Sequence, residues 1–142
     1  MAQAEEAVTA GPRELQLRIT SDPANLAPVR RQVETFCAEC GFDEPARGEI
    51  VLCVNEAMAN ITRHAYAGAK DKPVQLGATF SDGLLRVTLR DWGNGKVPPT
   101  LPLDYDPLRP GGIGLVCLRS LMDGITFFPQ SDGMLLTMER HI

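Results

Sequence analysis

Glu56 and Asn60 stand four residues apart in the stretch EIVLCVNEAMANITRHAY, residues 49–66. On a helix that spacing sets a carboxylate and a carboxamide one turn apart on the same face. Such a pair can share a site, one group taking a proton and the other holding a metal ion. His64 is one further turn along, and a lone helical histidine here reads as structural. Two glycine-rich segments follow, DWGNG at residues 91–95 and GGIGL at residues 111–115. Read together, the three segments form one nucleotide site.

Each segment brings its own chemistry. Asp91 continues the face made by Leu85, Val87 and Leu89, so it is expected to point into an apolar layer. A carboxylate there is costly unless it is hydrogen-bonded, and a purine amino group would satisfy it. Adenine presents a donor at that place and guanine an acceptor. A buried Asp91 therefore favours adenine and penalises guanine by leaving groups unpaired. Gly93 and Gly95 allow close approach of backbone to a flat ligand. Trp92, inside the same glycine-rich segment, could pack over the base or block it. Gly112, Ile113 and Gly114 lead into a predicted helix, whose free N–H groups and dipole suit phosphate. Neither segment has P-loop spacing, and no strand runs into GxGxxG.

The elements that must position these groups follow from periodicity. Glu14–Thr20 alternates as a half-buried strand. Ser21 or Asp22 is expected to cap a helix with Pro23 in its first turn, carrying a stripe of Leu26, Val29, Val33, Phe36 and Cys37 and ending at Gly41. Asp43 is a possible cap for a second, long helix, which buries Ile50, Val54, Met58 and Ile61 and ends near Tyr66–Gly68. Val74–Phe80 and Leu85–Leu89 alternate around the turn Ser81-Asp82-Gly83. Residues 93–110 read as a long, proline-rich loop. Ile113–Met122 reads as a short helix, and Gly124–Phe128 and Met134–Arg140 as two last strands. The strands are apolar on one face only, unlike a sheet covered on both sides. The expected fold is α+β: a two-layer α/β sandwich with a mixed, mostly antiparallel sheet and helices on one face. The domain is expected to span residues 13–142 behind a flexible tail, 1–12.

Composition narrows the function. The formal net charge of -4 gives no support for direct nucleic-acid binding. No apolar run approaches the roughly 20 residues of a membrane span, and the N-terminus lacks a secretory pattern. A cytoplasmic location is expected. Cys37 and Cys40 form a CxxC with no second metal-binding pair, which reads as small buried or half-buried thiols.

The set NEAMANITRHAY, DWGNG and GGIGL resembles the N, G1 and G2 boxes of the GHKL ATPase/kinase superfamily, with its histidine kinase-like ATPase fold. Within it, the chain is most similar to the small anti-sigma factor serine/threonine-protein kinases. The resemblance implies ATP and Mg2+ as cofactors. It implies Glu56 as the general base toward a serine hydroxyl or water, Asn60 as the Mg2+ ligand, and Asp91 as the reader of the adenine amino group. Gly93 and Gly95 would shape the base pocket, and Gly112 and Gly114 would cradle phosphates, with Ile113 between them. Implied partners are an anti-sigma-factor antagonist bearing the serine, a sigma factor, and a second copy in a homodimer. Length argues against a histidine kinase, which needs a phosphoacceptor helix, and against gyrase-like ATPases, which need a following domain. The alternative is a non-catalytic module in which ATP switches affinity for a partner such as a phosphatase. A structural adaptor with a decayed site is a third, weaker reading.

Overall fold

The structure, a computed structural model, describes residues 13–95 and 119–142. The chain opens with strand β1 (Arg13–Thr20) and a 3-10 turn (Pro23–Asn25). Helices α1 (Leu26–Cys40) and α2 (Glu44–Asn60) follow, and a π turn (Ile61–Ala65) extends α2. Strands β2 (Pro73–Ser81), β3 (Leu84–Asp91), β4 (Gly124–Gln130) and β5 (Gly133–His141) complete it. Residues 119–121, just before β4, are helical. The expected helix at 113–122 and the loop at 93–110 fall mostly outside the described residues.

The five strands form one sheet in the order β1-β2-β3-β5-β4. Every described pair is antiparallel, so the parallel component expected of a mixed sheet is not found among them. The reason is local. β2 and β3 are joined by the tight Asp82-Gly83 turn and β4 and β5 by Ser131-Asp132, and both connections are short enough only for antiparallel neighbours. The longer α1–α2 connection returns β2 antiparallel to β1.

Register places the apolar residues of successive strands side by side. Leu17, Leu76, Leu89, Leu136 and Phe127 make one row across the sheet, and Leu15, Ala78, Val87, Met138 and Ile125 make the next. Leu76, Leu89 and Met138 in these rows are at most 1% exposed. The helices cover this face. From α1 come Val29, Val33, Phe36 and Cys37, and from α2 Ile50, Val54 and Met58, all in one core with the strand residues. Alternate residues such as Glu14, Gln16, Thr79 and Arg86 are exposed on the other face, as one-sided alternation requires.

Local signals explain the helix limits. The Asp22 carboxylate accepts from Ala24 N at 2.9 Å and caps the 3-10 turn. Ser21 is not a cap; it is buried, and its hydroxyl donates to Ala69 O at 2.6 Å. Gly41 ends α1 at φ 101°, a left-handed conformation that costs a side chain more than glycine. Asp43 caps α2 through Ala46 N at 3.0 Å.

Cys37 and Cys40 lie at the end of α1. Burial pushes the Cys37 thiol up to about 12 and Cys40 up to about 11. Thiols held protonated at neutral pH are poor nucleophiles and poor metal ligands. Native protein at pH 8 should therefore leave Cys37 unalkylated by iodoacetamide, while denatured protein reacts fully; mass spectrometry of the two samples reads the difference. Leu76→Ala, which empties the centre of the core, should cost about 2–5 kcal/mol in a urea titration. Thr79→Ala, on the exposed face of the same strand, should stay within about 0.5 kcal/mol.

Candidate nucleotide site

The alternation that buries Leu85, Val87 and Leu89 continues one step to Asp91, which is 3% exposed. In its row the neighbours are Val74 on β2 and Met134 on β5, so the carboxylate occupies a place otherwise given to apolar side chains. It is held by a backbone donor: Gly93 N donates to Oδ1 at 2.9 Å, and the Met134 amide lies close enough to favour the ionised form. Burial pushes the Asp91 carboxyl above its ordinary value of 3.8, while those N–H groups and the nearby Arg90 guanidinium pull the other way.

Asn60 ends α2 on the opposite wall and is 8% exposed. Its Oδ1 accepts from an Arg63 guanidinium nitrogen at 2.7 Å, which fixes the orientation of the amide. Beyond Asn60 the helix widens into the π turn, with Tyr66 N donating to Ile61 O at 3.0 Å. Thr62 leans outward and donates to Ser21 O at 2.9 Å, tying this turn to the end of β1. Single π turns in helices often mark functional sites.

Asn60 and Asp91 line one hollow, with about 440 Å3 of atom-free space including the part open to solvent. Ala57, Ile61 and His64 complete the helix wall, at helical spacing from one another. Asn94 and Gly95 line it from the turn after β3, and Phe127, Met134 and Leu136 give it an apolar floor. A few polar groups over apolar walls is the usual make-up of a small-molecule site.

The other candidate residues are placed differently. Glu56 is half-buried one turn before Asn60, does not line the hollow, and makes no ion pair among the described residues. Gly93 does not line the hollow either. It packs against the π turn, where an added Cβ would lie 2.4 Å from Ala65 O, closer than atoms can approach. Trp92 neither covers nor blocks the hollow: its ring is 36% exposed and stacks on the Arg90 guanidinium at 4.5 Å. Even parity sends Arg90 and Trp92 to the open face while Asp91 points inward. Gly112, Ile113 and Gly114, like Lys96 and Arg109 of the loop, lie outside the described residues.

Several lining residues escape a reading by motif. Met134 and Phe127 reach the hollow only because β5 pairs beside β3, a long-range fact with no local signature. His64, read as structural, is exposed, lines the hollow and accepts through its carbonyl from Asn94 Nδ2 at 3.0 Å. Asn94 sits inside the glycine-rich turn, and its polarity beside two glycines was the available clue.

The structure is a two-layer sandwich with a hollow between a helix end and a strand-ending aspartate. The profile of the histidine kinase-like ATPase domain matches residues 19–140, and the chain belongs to that family. It is similar to a protein of Listeria monocytogenes named serine-protein kinase RsbW, at 23% identity over 90% of this chain and 87% of that one. It is also similar to a Halalkalibacterium halodurans protein named anti-sigma F factor, at 26% identity over 91% and 92% of the two chains. Among solved structures, the RsbU and RsbW domains of a Mycobacterium tuberculosis protein share the fold with a TM-score of 0.69 at 21% identity. That match covers 91% of this chain and 32% of the other.

The Asp91 environment has a pH signature. A carboxyl raised in the folded state holds its proton where the unfolded chain has lost it, so stability falls as pH rises from 3.8 through the raised folded value. Asp91→Asn should flatten that part of the pH–stability curve, measured by urea unfolding between pH 3.5 and about 7. An unchanged slope would mean that burial does not set the carboxyl's titration.

Proposed function

We propose that this chain binds ATP with Mg2+ and transfers the γ-phosphate to a serine of a separate protein, an anti-sigma-factor antagonist. In such a partner-switching system it also holds a sigma factor in its other state. The observation that carries the nucleotide part is the placement of Asn60 and Asp91 on one hollow. The names of the relatives support the kinase and anti-sigma parts.

The roles follow from the groups. Asp91, with its carboxylate fixed by a backbone donor, accepts from the adenine amino group and leaves a guanine carbonyl facing a like-poled oxygen. Gly95 and Asn94 border the base. Gly93 brings the turn against the helix so that Asp91 is aimed correctly. Asn60 would offer its carboxamide oxygen to Mg2+ once the Arg63 guanidinium that now holds that oxygen turns away, and the ion, which takes few protein oxygens, would fill the rest of its shell with phosphate and water. Among the described residues no cluster of three or more His, Cys, Asp or Glu side chains could hold a metal ion, so phosphate must complete the site. The bound ion would neutralise phosphate charge. Glu56, which makes no ion pair among the described residues, takes the serine proton. Gly112, Ile113 and Gly114 are assigned to the phosphates through helix-start N–H groups.

A second reading is an ATP-switched binding module acting on a partner such as a phosphatase. Its support is that Glu56 stands outside the hollow.

The test begins with binding. ATP·Mg2+ should raise the melting temperature and GTP·Mg2+ should not, in a thermal-shift measurement. Glu56→Gln should keep ATP affinity within about threefold while transfer to a candidate antagonist falls by about 100-fold or more, read by phosphosite mapping. Retained transfer removes Glu56 as the base. Tight ATP binding without transfer to any antagonist favours the switch.

A further inference from the structure

The end of the α2 extension and the turn after β3 are fastened to each other at three successive residues. His64 O accepts from Asn94 Nδ2 at 3.0 Å. Ala65 O occupies the space beside Gly93 that any side chain there would need. The Tyr66 hydroxyl accepts from Trp92 N at 2.7 Å and donates to Pro73 O at 2.6 Å. Tyr66 is 8% exposed, so its bonds are sheltered from water. Its ring belongs to the core cluster, and its hydroxyl spans the start of β2 and the end of β3.

This arrangement has a consequence for the hollow. Asp91 reads from one wall and Asn60 from the other, and nothing in either local segment sets the separation between them. The distance is set where the two walls touch, and there Trp92 N, the amide next to Asp91, donates to the Tyr66 hydroxyl. The next amide, Gly93 N, is turned back onto Asp91 itself. The turn is thus gripped at one amide by Tyr66 and at the following one by the carboxylate it presents.

We propose that Tyr66 is a positioning residue for base recognition: by holding Trp92 N, it sets where the Asp91 carboxylate meets the purine relative to the metal-binding end at Asn60. This rests on the ATP reading given above and deepens it. Tyr66 itself touches neither base nor phosphate; it acts through the backbone of the turn. Losing the hydroxyl frees the Trp92 amide and the Pro73 carbonyl, and the turn can then shift by the few tenths of an ångström that separate a good hydrogen bond from a poor one.

The test is Tyr66→Phe in the full chain, with binding of ATP and GTP measured by fluorescence of labelled nucleotides, with and without Mg2+. ATP should bind about tenfold more weakly, the equivalent of one well-made hydrogen bond. GTP should change less, so that the ATP:GTP preference shrinks. The ratio of affinities with and without Mg2+ should stay as in the wild type, because the Asn60 end is untouched. Val33→Ala, buried in α1 away from the hollow, serves as the control for mere destabilisation and should leave the ATP:GTP preference unchanged. Gly93→Ala is the second variant: it keeps the hydroxyl but drives the turn off Ala65 O, and should shrink the preference in the same way. Wild type that fails to bind ATP sinks the ATP reading, and this inference with it. Wild type that prefers ATP, with Tyr66→Phe keeping that preference in full, overturns the inference alone. An equal loss of preference in Val33→Ala would also overturn it, since general loosening would then suffice.

Discussion

The structure is built around a carboxylate in an apolar layer. Asp91 takes a position that the strand's alternation reserves for a hydrophobic side chain, in a row with Val74 and Met134. Burying an ionised group without partners is prohibitive, so the surroundings must supply donors. They do so from backbone, through Gly93 N with the Met134 amide nearby, rather than from a facing basic side chain. Arg90 is nearby but lies on the other face, engaged with Asp132 and the ring of Trp92. A full ion pair would have consumed the carboxylate. An amide donor orients it and leaves acceptor capacity toward the hollow, which is what a reader of an amino group requires.

Orientation on that side would count for little if the opposite wall could drift. The π turn makes the contact between walls possible. Widening the helix after Asn60 brings the carbonyls of His64 and Ala65 and the ring of Tyr66 against the turn after β3. Its other side is anchored by Thr62 on Ser21 O, and Ser21 in turn binds Ala69 O. The irregular stretch is therefore tied to strand ends on both sides, and a segment without regular hydrogen bonding becomes a fixed part of the site. The hollow sits between elements that are each rigid for ordinary reasons, a capped helix and a central strand, so few special contacts are needed to define it.

Much of this was legible in the sequence, for reasons that can be named. One-sided alternation in the strands announced two layers, and the run Leu85, Val87, Leu89, Asp91 announced an inward carboxylate, because a strand's side-chain period is fixed at two. The stripe of Ile50, Val54, Met58 and Ile61 located the buried face of α2, on whose polar side the sequence was read to carry Asn60, whereas Asn60 is itself buried at 8% exposure. What could not be read depended on pairing distant in sequence. Nothing near Phe127 or Met134 says that they floor a pocket. The expectation that Trp92 would meet the base came from its place among glycines, but strand parity carries over past Asp91 and sends the ring outward. Gly93, expected to shape the base pocket, packs closely against Ala65 of the π turn, and a glycine reports only that something comes close, not what it is.

Likeness at identities of 21–26% bears differently on fold and on function. A sandwich of this kind needs hydrophobic residues of suitable size at alternating positions, and such patterns survive extensive replacement. Chemistry does not follow from the pattern and has to be argued from individual groups. The two readings of this chain agree on every residue around the hollow and part company at Glu56. A switch needs only that bound nucleotide favour one partner over another. A kinase needs a base that the incoming serine can reach, and a carboxylate buried beside the purine could not serve a residue arriving on another protein. Glu56 stands one turn back from Asn60, half-buried and outside the hollow. A base acting on an external hydroxyl would have to stand outside the base pocket in this way, beside the metal ligand, with its oxygens uncommitted. The same exclusion from the hollow that supports the switch is thus equally what the kinase requires.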